Sequence, residues 1–168
     1  MDQRKTALIV GMAKSGIGAA KLLCRNGYRV IINDQKAQID GLEEALAGYS
    51  VENRLGEEPS SLLTGVDLLV PSPIIPMSTP FIAQAQEAGV EVVSEIELGY
   101  RYARADFVCI TGTNGKTTCT ALTGELFKAG GFHTFVLGNI GVAITEHAEE
   151  TRPGDVIVAE TAALQLEG

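Results

Sequence analysis

The sequence predicts an α/β fold built on parallel sheets, and three observations carry this prediction. Short apolar runs, such as residues 7–10 and 156–159, alternate with segments whose apolar residues recur at helical spacing. The runs are continuously apolar, as expected for strands that are buried on both faces. Twice, at Gly11 and at Gly112, such a run leads into a glycine and then into a helical segment. Strands that alternate with helices favour parallel pairing through crossover helices.

In the first half of the chain, strand 7–10 leads into a helix that ends at Asn26-Gly27. The apolar face of this helix consists of Ile17, Ala20, Leu23 and Cys24. Further strands are predicted at residues 30–32, 68–70 and 90–93, and further helices at residues 42–47 and 81–88.

In the second half, strands are predicted at residues 107–110, 135–137 and 156–159, and a helix at residues 96–102. The helix after Gly112 is expected to bury a stripe formed by Cys119, Leu122, Leu126 and Ala129. A charged and aromatic segment, residues 94–104, separates the two strand–glycine–helix openings. We therefore predict two domains, residues 1–94 and residues 95–168, the second with fewer strands than a free-standing sheet.

The composition makes several classes of protein unsuitable for this chain. The 168 residues are 45% hydrophobic and carry a net charge of -8, which is globular and acidic. An acidic chain is a poor candidate for non-specific binding of nucleic acid or anionic membranes, and no apolar stretch approaches the ~18 residues of a membrane span. The three cysteines show no disulfide spacing and are expected to be small buried hydrophobes. These features favour a cytoplasmic protein.

The strongest motif is Gly112-Thr113-Asn114-Gly115-Lys116-Thr117-Thr118, which follows a strand and opens an amphipathic helix. Its glycines let backbone N–H groups face phosphates, and the helix N-terminus adds a favourable dipole. In such a loop Lys116 reaches the β- and γ-phosphates, and the Thr117 hydroxyl binds Mg²⁺. Because Ile110 stands where the strict pattern has a glycine, the loop is the shorter G-T-x-G-K-T form. The alternative is an ordinary turn with an exposed lysine.

The turn after the first strand, Gly11-Met12-Ala13-Lys14-Ser15-Gly16, is of the Rossmann type with alanine at the middle glycine. Asp34 ends the second strand, close to where such folds place a ribose-binding acid. This pattern fits NAD, another nucleotide, or simply close packing of a helix on a strand. Ala13 argues against a pyrophosphate pressed onto the turn, since the middle glycine allows that approach.

Two further features lie at strand ends. The turn Gly138-Asn139-Ile140-Gly141 follows one strand, at the edge where α/β ligand sites lie, although a simple turn is the alternative. Glu160 ends another strand, where an acid can hold Mg²⁺, or is merely a surface carboxylate. His133 and His147 show no ligand spacing and are predicted to be surface or packing residues.

Together and in this order, the motifs resemble the Mur ligase family, most closely its D-glutamate-adding, MurD-type branch. The resemblance spans the whole chain and also includes Ser72-Pro73, Glu95-Ile96-Glu97-Leu98 and Gln165-Leu166-Glu167. The phosphate loop alone would also fit a folylpolyglutamate synthase relative. The chain departs from the family pattern at Ile74, where the family has glycine, and at Ala162-Ala163-Leu164, where it has two serines and an aromatic residue.

The resemblance implies an ATP-dependent amide-bond ligase of peptidoglycan precursor synthesis, with ATP and Mg²⁺ as cofactors. Its substrates would be UDP-N-acetylmuramoyl-L-alanine and D-glutamate, joined through an acyl phosphate. Residues 1–94 would form a domain that binds the UDP part of the substrate, and residues 95–168 a truncated ATP-binding domain. The chain alone is expected not to catalyse, because the family's later histidine, modified lysine and base-binding segment are missing. A monomer with no membrane or nucleic-acid partner is expected.

The resemblance also assigns roles to individual residues. Lys116, Asn139 and Glu160 would be catalytic, and Thr117 and Glu160 would hold the metal. The phosphate loop, Gly112 to Thr118, would bind ATP. The UDP part of the substrate would be bound by Lys14, Ser15, Gly16, Asp34, Gln35, Lys36, Ser72, Pro73 and Asn139. Two other interpretations stay open: an NAD-type dinucleotide-binding redox module, and a non-catalytic nucleotide-binding protein.

Overall fold

A computed structural model of the chain describes residues 4–139 and 141–162. Ile140, Ala163, Leu164 and the Gln165-Leu166-Glu167 motif lie outside the described residues. The chain divides into two units, Met1–Glu95 and Ile96–Gly168. In the part of the chain that the structure describes, no helix is long and apolar enough to cross a membrane.

The first unit alternates strands with helices. Its elements are β1 (Thr6–Val10), α1 (Lys14–Arg25), β2 (Arg29–Asn33), α2 (Leu42–Ala45), β3 (Val51–Asn53), β4 (Leu68–Pro71), α3 (Pro80–Glu87) and β5 (Glu91–Val92). A short 3-10 helix, Pro59–Leu62, lies between β3 and β4. Strand β3 was not predicted, because its sequence Val-Glu-Asn contains no apolar run and it lies half-buried to exposed beside β2.

The predicted parallel sheet is confirmed in this unit. Five parallel strands are ordered β3-β2-β1-β4-β5. All five residues of β1 are buried at its centre, and the chain order reverses there, with β2 and β3 on one side and β4 and β5 on the other. In open parallel sheets, ligands bind outside the carboxyl ends of the strands at such a reversal.

Helices cover the first sheet with apolar side chains. Leu8 and Leu69, which are paired in register, pack in one core cluster with Phe81 and Ile82 of α3. Helix α1 buries Ala19, Ala20, Leu22 and Leu23. Since each fully buried large apolar side chain stabilises the fold by about 1.5–3 kcal/mol, this core holds the strand ends in fixed positions.

The second unit contains the second of the predicted strand–glycine–helix openings, the one at Gly112. Its elements are α4 (Glu95–Tyr102, which begins at the last residue of the first unit), β6 (Asp106–Ile110), α5 (Lys116–Ala129), β7 (Thr134–Gly138), α6 (Ile144–His147), a 3-10 turn (Ala148–Glu150) and β8 (Val156–Glu160). The three strands are parallel in the order β6-β8-β7, and every residue of the central β8 is buried. A core cluster joins Ile96, Leu137, Ile144, Ile157 and Ala159.

The predicted buried stripe of α5 is wrong. Leu122 and Leu126 are 59% and 64% exposed, and the residues that the helix buries are Thr120 and Gly124. A Cβ atom on Gly124 would lie 2.4 Å from Cγ2 of Val136, so this small residue lets the helix approach β7 closely. Helix α5 therefore packs through its small residues rather than through its largest apolar ones.

The expectation of buried cysteines is also wrong. Cys109 and Cys119 are exposed, and Cys24 is half-buried. Cys109 lies on β6, which is an edge strand among the described strands and has no fully buried residue. Cys119 lies on the outward side of α5 together with Leu122.

Candidate functional site

The phosphate loop lies exposed between β6 and α5. Gly112 has a φ of 148° and Gly115 a φ of 73°, conformations that favour glycine. Gly115 directly precedes α5, and the N–H group of Cys119 donates the first helical hydrogen bond to the Gly115 carbonyl, at 2.9 Å. The N–H groups of residues 116–118 come before this bond, at the positive end of the helix dipole. This arrangement is suited to binding phosphate.

Lys116 folds back over the loop. Its Nζ atom donates a hydrogen bond of 2.6 Å to the carbonyl oxygen of Gly112. The ammonium group is therefore held near the glycine at the other end of the loop, where a bound phosphate could take over one of its three donors.

Thr117 and Glu160 bring two oxygen ligands together. The Thr117 hydroxyl, in the first turn of α5, donates a hydrogen bond of 2.8 Å to Oε2 of Glu160. Glu160 ends the central strand β8 and is 6% exposed, so its carboxylate lies in a wall of the site and not on an open surface. A hydroxyl and a carboxylate next to a phosphate loop are the donor set that fits Mg²⁺.

Asn139 follows β7 at the same edge of this sheet. Its backbone N–H donates a hydrogen bond of 3.0 Å to the Glu160 carbonyl. A Cβ atom on Gly138 would lie 2.4 Å from that carbonyl oxygen, and Gly138 has a φ of 104°, so glycine is required here. The second unit thus gathers the phosphate loop, Asn139 and Glu160 at the carboxyl ends of three neighbouring strands.

A cavity of about 660 Å³ lies at the carboxyl ends of the first sheet. Of the residues predicted to bind the UDP part of a substrate, Asp34, Gln35 and Ser72 line it. The other predicted residues of this unit (Lys14, Ser15, Gly16, Lys36 and Pro73) lie on the segments that continue from these walls. Asn139 belongs to the second unit. The volume is in the range of small-molecule sites.

Asp34 connects two segments at this cavity. Its Oδ2 atom accepts a hydrogen bond of 2.8 Å from the N–H of Met12, in the turn after β1. Its Oδ1 atom accepts one of 3.1 Å from the N–H of Lys36. The carboxylate therefore orders the backbone of the Rossmann-type turn, while each oxygen keeps a further lone pair for a ligand.

The glycines of the first turn serve close packing. A Cβ atom on Gly16 would lie 2.0 Å from the carbonyl oxygen of Gly11, and one on Gly11 would lie 2.5 Å from Cβ of Ser72. Gly16 therefore lets α1 start against the end of β1, and Gly11 lets β1 pass beside the residue after β4. This packing accounts for the two glycines and is compatible with a ligand in the adjacent cavity.

Two walls of the cavity were missed by sequence reasoning. One is residues 56–59, which follow β3, and the other is formed by residues between β4 and α3 together with Phe81 in the first turn of α3. The residues concerned are Gly56, Glu57, Glu58, Pro59, Ile74, Ile75, Pro76, Thr79 and Phe81. The signal that could have located them is the concentration of turn-forming residues after each of these strands. Ile74, where the family has glycine, is 87% exposed at this wall.

Comparison with known proteins identifies the family of the chain. Residues 5–94 match the family model described as the N-terminal domain of MurD-like Mur ligases. The chain is 44% identical to a UDP-N-acetylmuramoylalanine–D-glutamate ligase of Alkaliphilus metalliredigens and 45% identical to one of Alkaliphilus oremlandii, in each case over 98% of this chain. It spans 37% of the length of these curated relatives.

A solved structure shares the fold. The UDP-N-acetylmuramate:L-alanyl-gamma-D-glutamyl-meso-diaminopimelate ligase of Neisseria meningitides superposes with a TM-score of 0.57 at 16% identity, over 95% of this chain and 55% of that one. At this identity the likeness concerns the fold alone. The match of the family model to more than half of the chain, together with the two identities above, shows that this chain belongs to the MurD-like group of the Mur ligase family.

Proposed function

We propose that the chain is the part of an ATP-dependent ligase that binds a uridine nucleotide and ATP, and that the whole enzyme adds D-glutamate to UDP-N-acetylmuramoyl-L-alanine. The observation that carries the ATP half is the hydrogen bond between Thr117 and Glu160 beside an open phosphate loop. The names of the relatives support the choice of substrates.

The chemistry explains why such an enzyme needs a phosphate site. A carboxylate resists attack by an amine, because it carries a negative charge and has no good leaving group. Transfer of the γ-phosphoryl group of ATP to a carboxylate oxygen releases ADP and forms an acyl phosphate. The amine of D-glutamate then attacks the acyl carbon, phosphate leaves, and an amide bond remains.

The residues of the second unit would support the first of these steps. The N–H groups that open α5 and the ammonium of Lys116 would hold the phosphates and offset the charge that develops during transfer. Thr117 and Glu160 would hold Mg²⁺, which when bound neutralises charge on the β- and γ-phosphates. Asn139, beside Glu160, would contact the reacting end of the substrate.

The first unit would bind the uridine end. The carboxylates of Asp34, Glu57 and Glu58 at its cavity are acceptors, so they suit the N–H and hydroxyl groups of a nucleoside better than a diphosphate. We therefore place the nucleoside in the cavity and the diphosphate towards the N-terminus of α1, near Lys14 and Ser15, where the helix dipole favours an anion.

Calorimetric titration of the chain tests both halves. UDP-N-acetylmuramoyl-L-alanine should release binding heat, and NADH, as the control for a dinucleotide-binding redox module, should not. ATP should bind in the presence of Mg²⁺ and more weakly without it. Binding of NADH but not of the uridine nucleotide would reject the ligase proposal in favour of a redox module.

A further inference from the structure

We propose that Asn33 is a positioning residue for the candidate uridine-nucleotide cavity: its side-chain amide holds residues 54–57, which lead into one wall of that cavity, without contacting the ligand. The link to nucleotide binding depends on the function proposed above, whereas the positioning of the wall does not. Asn33 lies at the end of β2, is 1% exposed, and is not among the residues that line the cavity.

The side-chain amide of Asn33 forms its hydrogen bonds through the nitrogen atom, as a donor. Its Nδ2 atom donates a hydrogen bond of 2.7 Å to the carbonyl oxygen of Arg54 and one of 2.9 Å to that of Glu57. Both of its donors are thereby used on one segment, and the two bonds enclose Leu55 and Gly56. Buried amide donors that meet carbonyl oxygens stabilise a segment more than exposed ones, because water is excluded.

The backbone carbonyls on either side of Asn33 accept two further bonds from the same segment. The Arg54 N–H donates to the Ile32 carbonyl at 2.9 Å, and the Gly56 N–H donates to the Asp34 carbonyl at 2.8 Å. Residues 54–57 therefore continue the pairing of β2 with β3 beyond the end of β3, and Asn33 lies in the middle of this contact. Asp34, the first residue after β2, accepts a hydrogen bond from the N–H of Met12, in the turn after β1.

The acceptor of the Asn33 side chain is unused. Oδ1 is buried and has no hydrogen-bond partner among the described residues. A buried polar atom without a partner costs about 1–3 kcal/mol, so an asparagine here is unfavourable unless its donors are needed. The geometry thus indicates that the amide is present for its donors.

A second asparagine provides a matched control. Asn53, at the end of β3, is exposed, and its side chain acts as an acceptor. Its Oδ1 atom accepts a hydrogen bond of 3.0 Å from the Leu55 N–H. An aspartate at residue 53 keeps this acceptor, whereas an aspartate at residue 33 loses both donors. The two substitutions add the same charge next to the same segment, at a buried site for Asn33→Asp and at an exposed site for Asn53→Asp, so the uncharged Asn33→Ser is measured as well.

The experiment compares Asn33→Asp, Asn33→Ser and Asn53→Asp in the full chain by two measurements. Hydrogen exchange reports the protection of the Arg54 and Gly56 amides, and calorimetry at low temperature reports the affinity for UDP-N-acetylmuramoyl-L-alanine. For Asn33→Asp we expect exchange at residues 54–57 to be about tenfold faster or more and the affinity to fall about tenfold or more, because two buried hydrogen bonds are lost and a charge is buried; for Asn33→Ser, which loses the bonds alone, we expect about tenfold in each. Asn53→Asp should stay within about twofold of the unsubstituted chain in both measurements.

Each outcome decides one proposal. Unchanged exchange in Asn33→Asp, or equal effects of the two substitutions, would overturn the role of Asn33. A lower melting temperature with unchanged affinity would show a structural role alone and would also overturn it. If the unsubstituted chain does not bind the uridine nucleotide, the proposed function fails while the exchange data still decide the positioning. Should Asn33→Asp not fold, the uncharged Asn33→Ser decides alone, with the same direction expected.

Discussion

The hydroxyl of Thr117 and the carboxylate of Glu160 are joined by a hydrogen bond of 2.8 Å, although the two residues are 43 positions apart in the chain. The contact exists because β8 lies between β6 and β7, so that its last residue reaches the start of α5. The hydroxyl and the carboxylate are thus held by two rigid elements, helix α5 and strand β8. Such elements fix the geometry of a site better than mobile loops do.

Replacement of Glu160 by glutamine should separate metal binding from folding. The amide oxygen of Glu160→Gln can still accept the Thr117 hydrogen bond, but the negative charge is lost. We expect the affinity for ATP in the presence of Mg²⁺ to fall about tenfold or more, with little change when Mg²⁺ is absent. Titrations with and without Mg²⁺ measure this, and Glu125→Gln, on the exposed side of α5, is the control. An unaltered Mg²⁺ dependence would remove Glu160 from the metal site.

Removal of the Lys116 ammonium should weaken ATP binding more than any other single lysine change on α5. For Lys116→Ala we expect a loss of about tenfold or more, because a charge-assisted contact to phosphate disappears. Lys128→Ala is the matched control, since Lys128 lies at the other end of the helix and pairs with Glu125. Fluorescence titration with a labelled ATP analogue compares the two, and similar affinities would count against a phosphate role for Lys116.

An added methyl group at Gly16 should destabilise the first unit. Its Cβ would lie 2.0 Å from a backbone oxygen of Gly11, so the start of α1 must shift. We expect Gly16→Ala to lower the free energy of unfolding by on the order of 3 kcal/mol. Ser15→Ala, one position earlier in the same helix, serves as the control and should change it little. The free energy of unfolding in urea, monitored through the hydrogen exchange of amides in residues 4–95, is compared between the two variants. Equal stability of both variants would contradict the close packing.

Asp155 should contribute stability that disappears in acid. A hydrogen bond from the backbone of Arg152 and the neighbouring His133 hold the pKa of this carboxyl below its ordinary value. Because the folded pKa is the lower one, the stabilisation is complete above the ordinary pKa and is lost as the pH falls through the folded pKa. The melting temperature of Asp155→Asn should thus lie below that of the unsubstituted chain at pH 7, and the difference should shrink below about pH 4.

The matched control for this pH series is Asp106→Asn, which changes an exposed acid at the start of β6. Its melting temperature should follow that of the unsubstituted chain across the same pH range. A difference for Asp155→Asn that persists unchanged at pH 2–3 would assign its effect to packing and not to the charge.

Every described strand except β3, and both glycine-containing openings, could be predicted because they depend on neighbouring residues. Apolar runs and glycine positions are local properties, and the predicted Rossmann-like parallel sheet was confirmed. The prediction for α5 was wrong for a related reason: helical spacing identifies an apolar face, but not which face meets the sheet. Thr120 and Gly124 meet it, because small residues let the helix come close to β7.

The cavity of the first unit also combines residues that could be predicted from the sequence with residues that could not. Asp34 could be predicted from its place at a strand end, whereas Gln35 and Ser72 were implied by the resemblance to the Mur ligase family. The wall at residues 56–59 could not, because β3 is too short and too polar to be recognised in the sequence. The role of Asn33 in holding that wall depends on the pairing of β2 with β3.

By itself, the sequence determined the alternation of strands and helices, the parallel sheets, the phosphate loop and the candidate residues at strand ends. The tertiary structure decided which of these residues meet. Strand order places Glu160 beside Thr117 and residues 54–57 beside Asn33, and it depends on contacts between residues far apart in the chain. Local periodicity does not predict such contacts, because it shows only which face of an element is apolar and not what that face packs against.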